Sequence, residues 1–207
     1  MKLLLASSST YRQALLSRLR LPFDSYSPNV NESRHLNENA EDLVSRLSLQ
    51  KALSAQSVYP EHIILASDQV AYVRIGDGQK GEDSHPEILT KPHTIENAIE
   101  QLSKCSGQTV RFITGLCCLS PKHNQPDNTL DWVDVTFRDL SLQEITAYIE
   151  AESPLDCAGS FKAEGLGVTL FDKIESSDPT TIVGLSLIAV NKALLRIGVN
   201  PLLHKIQ

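Results

Sequence analysis

No apolar run in this 207-residue chain approaches the length of a membrane-spanning helix, and no excess of positive charge is present. Lysine and arginine number 19 against 25 acidic residues, a net charge of −6, which argues against a broad basic surface for DNA, RNA or anionic lipid. The four cysteines, Cys105, Cys117, Cys118 and Cys157, lack metal-ligand spacing, and the six histidines form no zinc motif. Reduced structural thiols are therefore expected. No Gly-x4-Gly-Lys-Ser/Thr occurs, which removes a P-loop ATPase or kinase from consideration. Lys2 ahead of the short run Leu3 to Ala6 makes no export signal, so a cytoplasmic protein without a membrane or polymeric nucleic-acid partner is expected. No linker, repeat or low-complexity segment divides the chain, and its length suffices for one domain with a full core.

What is present is an α/β pattern. Leu3 to Ala6 is wholly apolar, as suits a strand covered on both faces, and Ser7 to Thr10 then break it. From Tyr11, Leu15, Leu16 and Leu19 recur at helical spacing, with any of Ser7 to Thr10 available as the cap. A strand-turn-helix junction of this kind directs backbone N–H groups outward, and Arg12 adds charge in the first turn. Most such junctions bind nothing, so phosphate binding is one reading of two. A second helix is expected from Ala40, capped by Asn39, with Leu43, Val44 and Leu47 inward and Lys51 beside them. The Lys51 ammonium must either snorkel out or meet an anion.

Ile63-Ile64-Leu65-Ala66-Ser67 echoes the first strand and is expected to end at Asp68. Asp68 at a strand end suits metal or base chemistry, or else caps a turn. Glu32, after a short polar turn, reads by itself as a solvated carboxylate. Arg74 to Pro86 reads as an exposed excursion, and Lys91-Pro92 precedes a helix capped by Thr94 with Ile95, Ala98, Ile99 and Leu102 buried. Val110 to Leu119 and the alternation around Val133, Val135 and Phe137 predict a hairpin whose tip, Pro121 to Asn128, is long. Ser141-Leu142-Gln143-Glu144 is a capping box, Val168 to Phe171 is expected to be strand, and Leu185 to Leu195 a largely apolar helix. The intervening Cys157 to Gly167 has three glycines, which allow close backbone approach to a ligand without defining a fingerprint.

Together, Leu5-Ala6-Ser7-Ser8-Ser9-Thr10-Tyr11-Arg12, Val30-Asn31-Glu32, Lys51-Ala52, Ser67-Asp68-Gln69, Thr90-Lys91-Pro92, Thr114-Gly115 and Ala158-Gly159-Ser160-Phe161-Lys162 resemble the Maf family of nucleotide pyrophosphatases over nearly the whole chain. The resemblance implies an α/β, two-lobed Maf/ITPase-like fold around a twisted mixed sheet with a cleft between the lobes, forming one domain over 1–207. It implies metal-dependent hydrolysis of a nucleoside triphosphate, with Mg, Mn or Co as the divalent cation, and a homodimer. By position, Asp68 resembles the proton acceptor, Arg12, Lys51 and Lys91 the triphosphate clamp, and Glu32 with Asp68 the metal-binding acids. Ser7 and Ser9 fall in the substrate-binding junction, and Tyr11, Gln69 and Glu164 at positions that track the base. An aromatic residue at the first and glutamate at the third resemble the subgroup acting on 7-methyl-GTP. The chemistry agrees, because N7 methylation gives guanine a positive charge that Tyr11 can stack on, and Glu164 can accept its N–H donors. A pyrophosphatase for dTTP or UTP and a non-catalytic nucleotide-binding regulator of cell division are the alternatives. Thr10, Gln13 and Asn31 depart from the family pattern, Asn31 by replacing an aspartate that could bind metal.

Overall fold

A computed structural model describes residues 2–74 and 88–203. Seven strands and five α-helices follow one another among these residues: β1 Lys2–Ala6, α1 Thr10–Ser17, β2 Phe23–Tyr26, α2 Ala40–Val58, β3 His62–Arg74, β4 Ile88–Leu89, α3 Ile95–Cys105, β5 Thr109–Ser120, β6 His123–Phe137, α4 Leu142–Glu152, β7 Phe171–Ser176 and α5 Leu187–Arg196. The strand order is β2-β1-β3-β5-β6-β7, with β4 paired to β3. Pairing is parallel for β1 with β2 and β3, and antiparallel for β3 with β4 and β6 with β7, so the sheet is mixed. The chain forms two compact units: Met1–Gln69, Ile113–Asp131 and Asp178–Gln207 make unit 1, and Val70–Phe112 and Trp132–Ser177 make unit 2.

Unit 1 is a three-layer arrangement that follows from the pleat. Alternate strand residues point to opposite faces, so a run buried throughout must be covered on both. Leu3, Leu5, Ile63, Leu65, Leu116 and Cys118 pack with Leu15 and Leu16 of α1 and Ala189, Val190, Ala193 and Leu194 of α5. Leu4, Ala6, Ile64, Ala66, Cys117 and Leu119 pack on the opposite side with Ala52 and Ala55 of α2. The adjacent cysteines thus serve different faces, and burial pushes both thiols up to about 12, as inert structural groups.

Gly115 lets α2 lie close to this face. A Cβ there would stand 2.6 Å from the Val44 carbonyl oxygen and 3.2 Å from the Ser48 hydroxyl, both on α2. Gly115→Ala is expected to displace α2 and to cost about 1–3 kcal/mol, an overpacking penalty read by urea denaturation. Because Lys51 rides on α2, activity should fall with stability.

Unit 2 contains α3, α4, β4, β7 and the remaining lengths of β3, β5 and β6. Its core includes Phe112, Phe137, Phe161 and Phe171, whose rings meet edge to face at centroid separations of 4.9–5.6 Å. Thr94 caps α3, and Ser141 with Glu144 forms the expected reciprocal capping box on α4.

Several boundaries depart from the sequence reading. β3 does not end at Asp68 but continues to Arg74, past the end of β1 at Ala6. The hairpin tip is short, because β6 begins at His123, and Pro126 is accommodated where β7, which pairs over Val133–Phe137, no longer flanks the strand. Leu166–Leu170 is a 3₁₀ turn instead of strand, and β7 starts at Phe171. Ile95 is exposed at the first turn of α3, before the buried stripe of Ala98 and Leu102 begins. Beyond Arg74, the proposed excursion to Pro86 lies outside the described residues.

Candidate active site

The geometry starts where β1 stops. Lys2 to Leu5 pair in register with His62 to Leu65, and β3 then runs on, so Ser67, Asp68 and Gln69 lie beyond the β1 register. The open rim belongs to β1. Pleat parity sends Asp68 toward α2, the side already taken by Ile64 and Ala66, and sends Ser67 and Gln69 toward the side of α1 and α5.

On the α2 side Asp68 meets Lys51. Both are about nine-tenths buried, and the Lys51 Nζ donates to the Asp68 carboxylate. The same ammonium lies 2.6 Å from Glu32 Oε1, although Glu32 itself is largely open to solvent. Lys51 therefore does not snorkel. Burial of the amine is tolerated because two carboxylates converge on it.

On the opposite side, a turn formed by Asp178 to Ser186 supplies backbone acceptors. The Arg12 Nε donates to the Gly184 carbonyl at 2.9 Å and its Nη1 to the Ser67 carbonyl at 2.8 Å. Gly184 has φ +92°, and a Cβ there would press within 3.1 Å of Arg12 Nε, so this position needs glycine on both counts. Burial draws the Arg12 guanidinium below its ordinary value while Asp68 and Glu32 pull it upward; it stays charged at ordinary pH. Gln69 donates from Nε2 to Thr114 Oγ1 at 2.9 Å and to the Thr181 carbonyl at 2.8 Å.

Asp178 organises that turn. Its buried carboxylate accepts from the Thr180 N–H at 2.8 Å and hydroxyl at 2.7 Å, the Ser186 hydroxyl at 2.8 Å, and the Ile188 N–H at 2.7 Å. These bonds hold its pKa below the usual carboxylate range against the opposing effect of burial.

At the α1 junction Ser9 is the cap, its hydroxyl accepting from the Arg12 N–H at 3.3 Å, and the Ser7 hydroxyl accepts from the Ser9 N–H at 3.1 Å. Gln13 donates to the Ser7 carbonyl at 3.4 Å. Tyr11 is exposed in the first turn of α1. Asn31, one of the departures from the family pattern, uses its side-chain oxygen to accept the Ser33 N–H at 3.0 Å, an Asx turn that spans Glu32.

Ser7, Ser9, Tyr11, Arg12, Glu32, Lys51, Asp68 and Gln69 all belong to unit 1, where Lys51 joins Glu32 to Asp68 and Arg12 docks on the Ser67 carbonyl. Lys91 and Glu164 belong to unit 2, where both are exposed. The glycine-rich stretch carrying Glu164 is pinned there: the Tyr148 hydroxyl accepts the Lys162 N–H at 2.9 Å and Glu152 Oε1 the Leu166 N–H at 2.7 Å. The sequence reading missed Asp178, Thr181 and Gly184. The signal available was Ser186 immediately before an apolar helical run, preceded by Asp178-Pro179-Thr180, a turn-forming cluster.

A buried lysine between carboxylates, an arginine docked on backbone carbonyls and a sheet rim open beyond β1 define an α/β protein with a cluster of paired charges at the sheet edge. The chain belongs to the Maf family: the family model described as "Maf-like protein" matches residues 2–197. It is 50% identical over 197 residues to a Pseudomonas aeruginosa protein named 7-methyl-GTP pyrophosphatase, with 95% of this chain and 97% of that protein covered. It is 49% identical over 200 residues to the protein of that name from Pseudomonas savastanoi pv. phaseolicola, covering 96% and 97% of the two chains. A third, from Pseudoalteromonas translucida, is 42% identical over 97% of this chain and 94% of its own length. Among solved structures, the Staphylococcus aureus Ham1 protein aligns with a TM-score of 0.49 at 12% identity, covering 92% of this chain and 97% of that one. Among the described residues, no helix is long and apolar enough to cross a membrane.

Proposed function

We propose that this protein hydrolyses 7-methyl-GTP to 7-methyl-GMP and pyrophosphate, clearing a methylated nucleotide from the cytoplasmic pool. The observation that carries the reading is Lys51, held between Glu32 and Asp68 in a chain half identical to proteins named for this reaction. A triphosphate brings several negative charges that must be offset before water can approach phosphorus. Arg12 supplies one fixed cation: two of its N–H groups are spent on Ser67 and Gly184, which orients the remaining guanidinium donors for phosphate oxygens. Lys51 supplies a second.

Glu32 and Asp68 also fit a divalent cation such as Mg, Mn or Co. Their oxygens already converge on a positive group, and hard cations of this type are commonly held by one or two carboxylates together with substrate phosphates and water. When bound, such a cation neutralises phosphate charge and lowers the pKa of water. Asp68 then has the role of orienting the attacking water and accepting its proton, at the carboxylate that Lys51 now engages. Ser7, Ser9 and the first turn of α1 offer backbone and hydroxyl donors to phosphate. Tyr11 is assigned to stacking on the methylated base, and Gln69 and Glu164 to its polar edge. Lys91 is assigned to phosphate charge by the family resemblance alone. The homodimer implied by the resemblance is checked by light scattering of the purified protein.

The test is to supply Mg²⁺ or Mn²⁺ with 7-methyl-GTP, GTP, TTP or UTP separately and to measure pyrophosphate and orthophosphate. Pyrophosphate released chiefly from 7-methyl-GTP is the expected result. Preference for TTP or UTP would overturn the roles of Tyr11 and Glu164, and intact nucleotides throughout would overturn the catalytic reading.

A further inference from the structure

Glu32 presents a problem of positioning. It lies in the segment between β2 and α2, where no helix or strand holds it, and its side chain is 61% exposed, yet its carboxylate lies 2.6 Å from Lys51 Nζ. An exposed acid on an irregular segment loses conformational freedom to make such a contact, so something must restrict that segment.

We infer that Glu38 and Arg46 are positioning residues that set Glu32 against Lys51. Glu38 closes the segment on itself: its Oε2 accepts the His35 N–H at 3.0 Å, its N–H donates to the His35 carbonyl at 3.2 Å, and its own carbonyl accepts from Arg34 Nε at 2.6 Å. Arg46 then ties the closed segment to α2. It grips both Glu38 oxygens, with Nε to Oε1 at 2.6 Å and Nη2 to Oε2 at 2.8 Å, a two-pronged geometry that lysine does not reproduce. From the same Nη2 it donates at 3.1 Å to the carbonyl of Ser33, the residue next to Glu32. Arg46 also lies on α2 a little more than one turn before Lys51. The clamp therefore references Glu32 to the helix that carries its partner.

Glu38 is buried and Arg46 partly so, and Arg46 holds the Glu38 carboxyl down to about 2, so the clamp is ionised at neutral pH. The start of α2 does not depend on it, since Asn39 caps that helix through the Asp42 N–H at 2.7 Å. Loosening the clamp thus frees the segment without removing the helix cap.

The kinetic arm of the test rests on the function proposed above. Glu38→Gln and Arg46→Lys are made in the natural sequence and in a Glu32→Gln background, with kcat and KM measured for 7-methyl-GTP. Each is expected to lower kcat about 10- to 100-fold by misplacing Glu32, with KM changed by less than about threefold because Arg12 keeps the Ser67 and Gly184 carbonyls and Lys51 keeps Asp68. In the Glu32→Gln background neither should lower kcat further. Equal losses in both backgrounds, or an unchanged kcat, would overturn the inference. The second arm needs no activity: amide hydrogen exchange in Glu38→Gln is expected to quicken for residues 31–38 while α2 keeps its protection. Unchanged exchange in 31–38, or loss of protection along α2, would show a merely structural pair. A natural-sequence protein that leaves every nucleotide intact would defeat the proposed reaction, and the exchange result would then decide the clamp alone.

Discussion

Asp68→Asn is expected to lower kcat for 7-methyl-GTP by about 10³-fold while the protein stays folded and still binds nucleotide. Asparagine has the same shape as aspartate but neither its charge nor its basicity. A positioned general base contributes about 10²–10⁴-fold, and Asp68 is also one of the two carboxylates suited to the divalent cation, so a value within that range is the minimum expected. Binding should persist because Arg12 is held by the Ser67 and Gly184 carbonyls, neither of which involves the Asp68 side chain. The informative comparison is kcat from initial rates against nucleotide affinity from calorimetry. If turnover and affinity fell together, Asp68 would be acting through the architecture of the site. A retained output with lost turnover would instead suit a nucleotide-sensing role.

Lys51→Met should give the second large effect, lowering both activity and stability. Activity should fall about 10²-fold or more, since a phosphate-neutralising cation is lost. Stability in the absence of divalent cation should also fall, by about 2–4 kcal/mol, because removing one member of a buried ionic cluster leaves the others uncompensated. The figure sits below that of a fully enclosed pair because Glu32 is open to water. Methionine nearly preserves the length of the lysine stem and its packing on α2, so the loss reports charge more than volume. Adding Mn²⁺ should then raise the melting temperature of Lys51→Met more than that of the natural protein. Two carboxylates freed of their ammonium have the composition such a cation prefers, and ligand bound to the folded state raises its stability by mass action. Equal Mn²⁺ shifts in both proteins would remove Glu32 and Asp68 as the cation's ligands.

Much of this was readable from residue order. Period and capping placed the starts of α1, α2, α3 and α4 within a residue or two, because Ser9, Asn39, Thr94 and Ser141 satisfy helix N–H groups through contacts only three residues long. The buried character of Leu3 to Ala6 and Ile63 to Ala66 was equally legible, since a strand apolar on both sides has no solvent face to occupy. Errors arose where length was set by a distant partner. β3 continues past Asp68 although polar residues interrupt its apolar run, because Gln69 and Ser67 find partners in Thr181 and Gly184, more than 110 positions away. β6 begins early although His123 to Asn128 is polar, because its neighbour β5 supplies the ladder.

The candidate site divides in the same way. Residue order by itself determined which chemistry was on offer: a lysine among inward apolar positions, an acid after a buried strand and an arginine at a helix start, joined in a pattern that resembles one family. It also set the pleat parity that turns Asp68 away from Ser67 and Gln69. The tertiary structure decided the fate of each charge. Whether Lys51 escapes to water or is captured depends on where Glu32 and Asp68 lie in space, and Glu32 sits on an irregular segment whose course is set by Glu38 and Arg46. Arg12 is likewise aimed by a carbonyl 172 positions along the chain. Local backbone preferences act over a few residues and can be read from neighbours, whereas desolvation and ion pairing are settled by whatever the folded chain brings within about 4 Å.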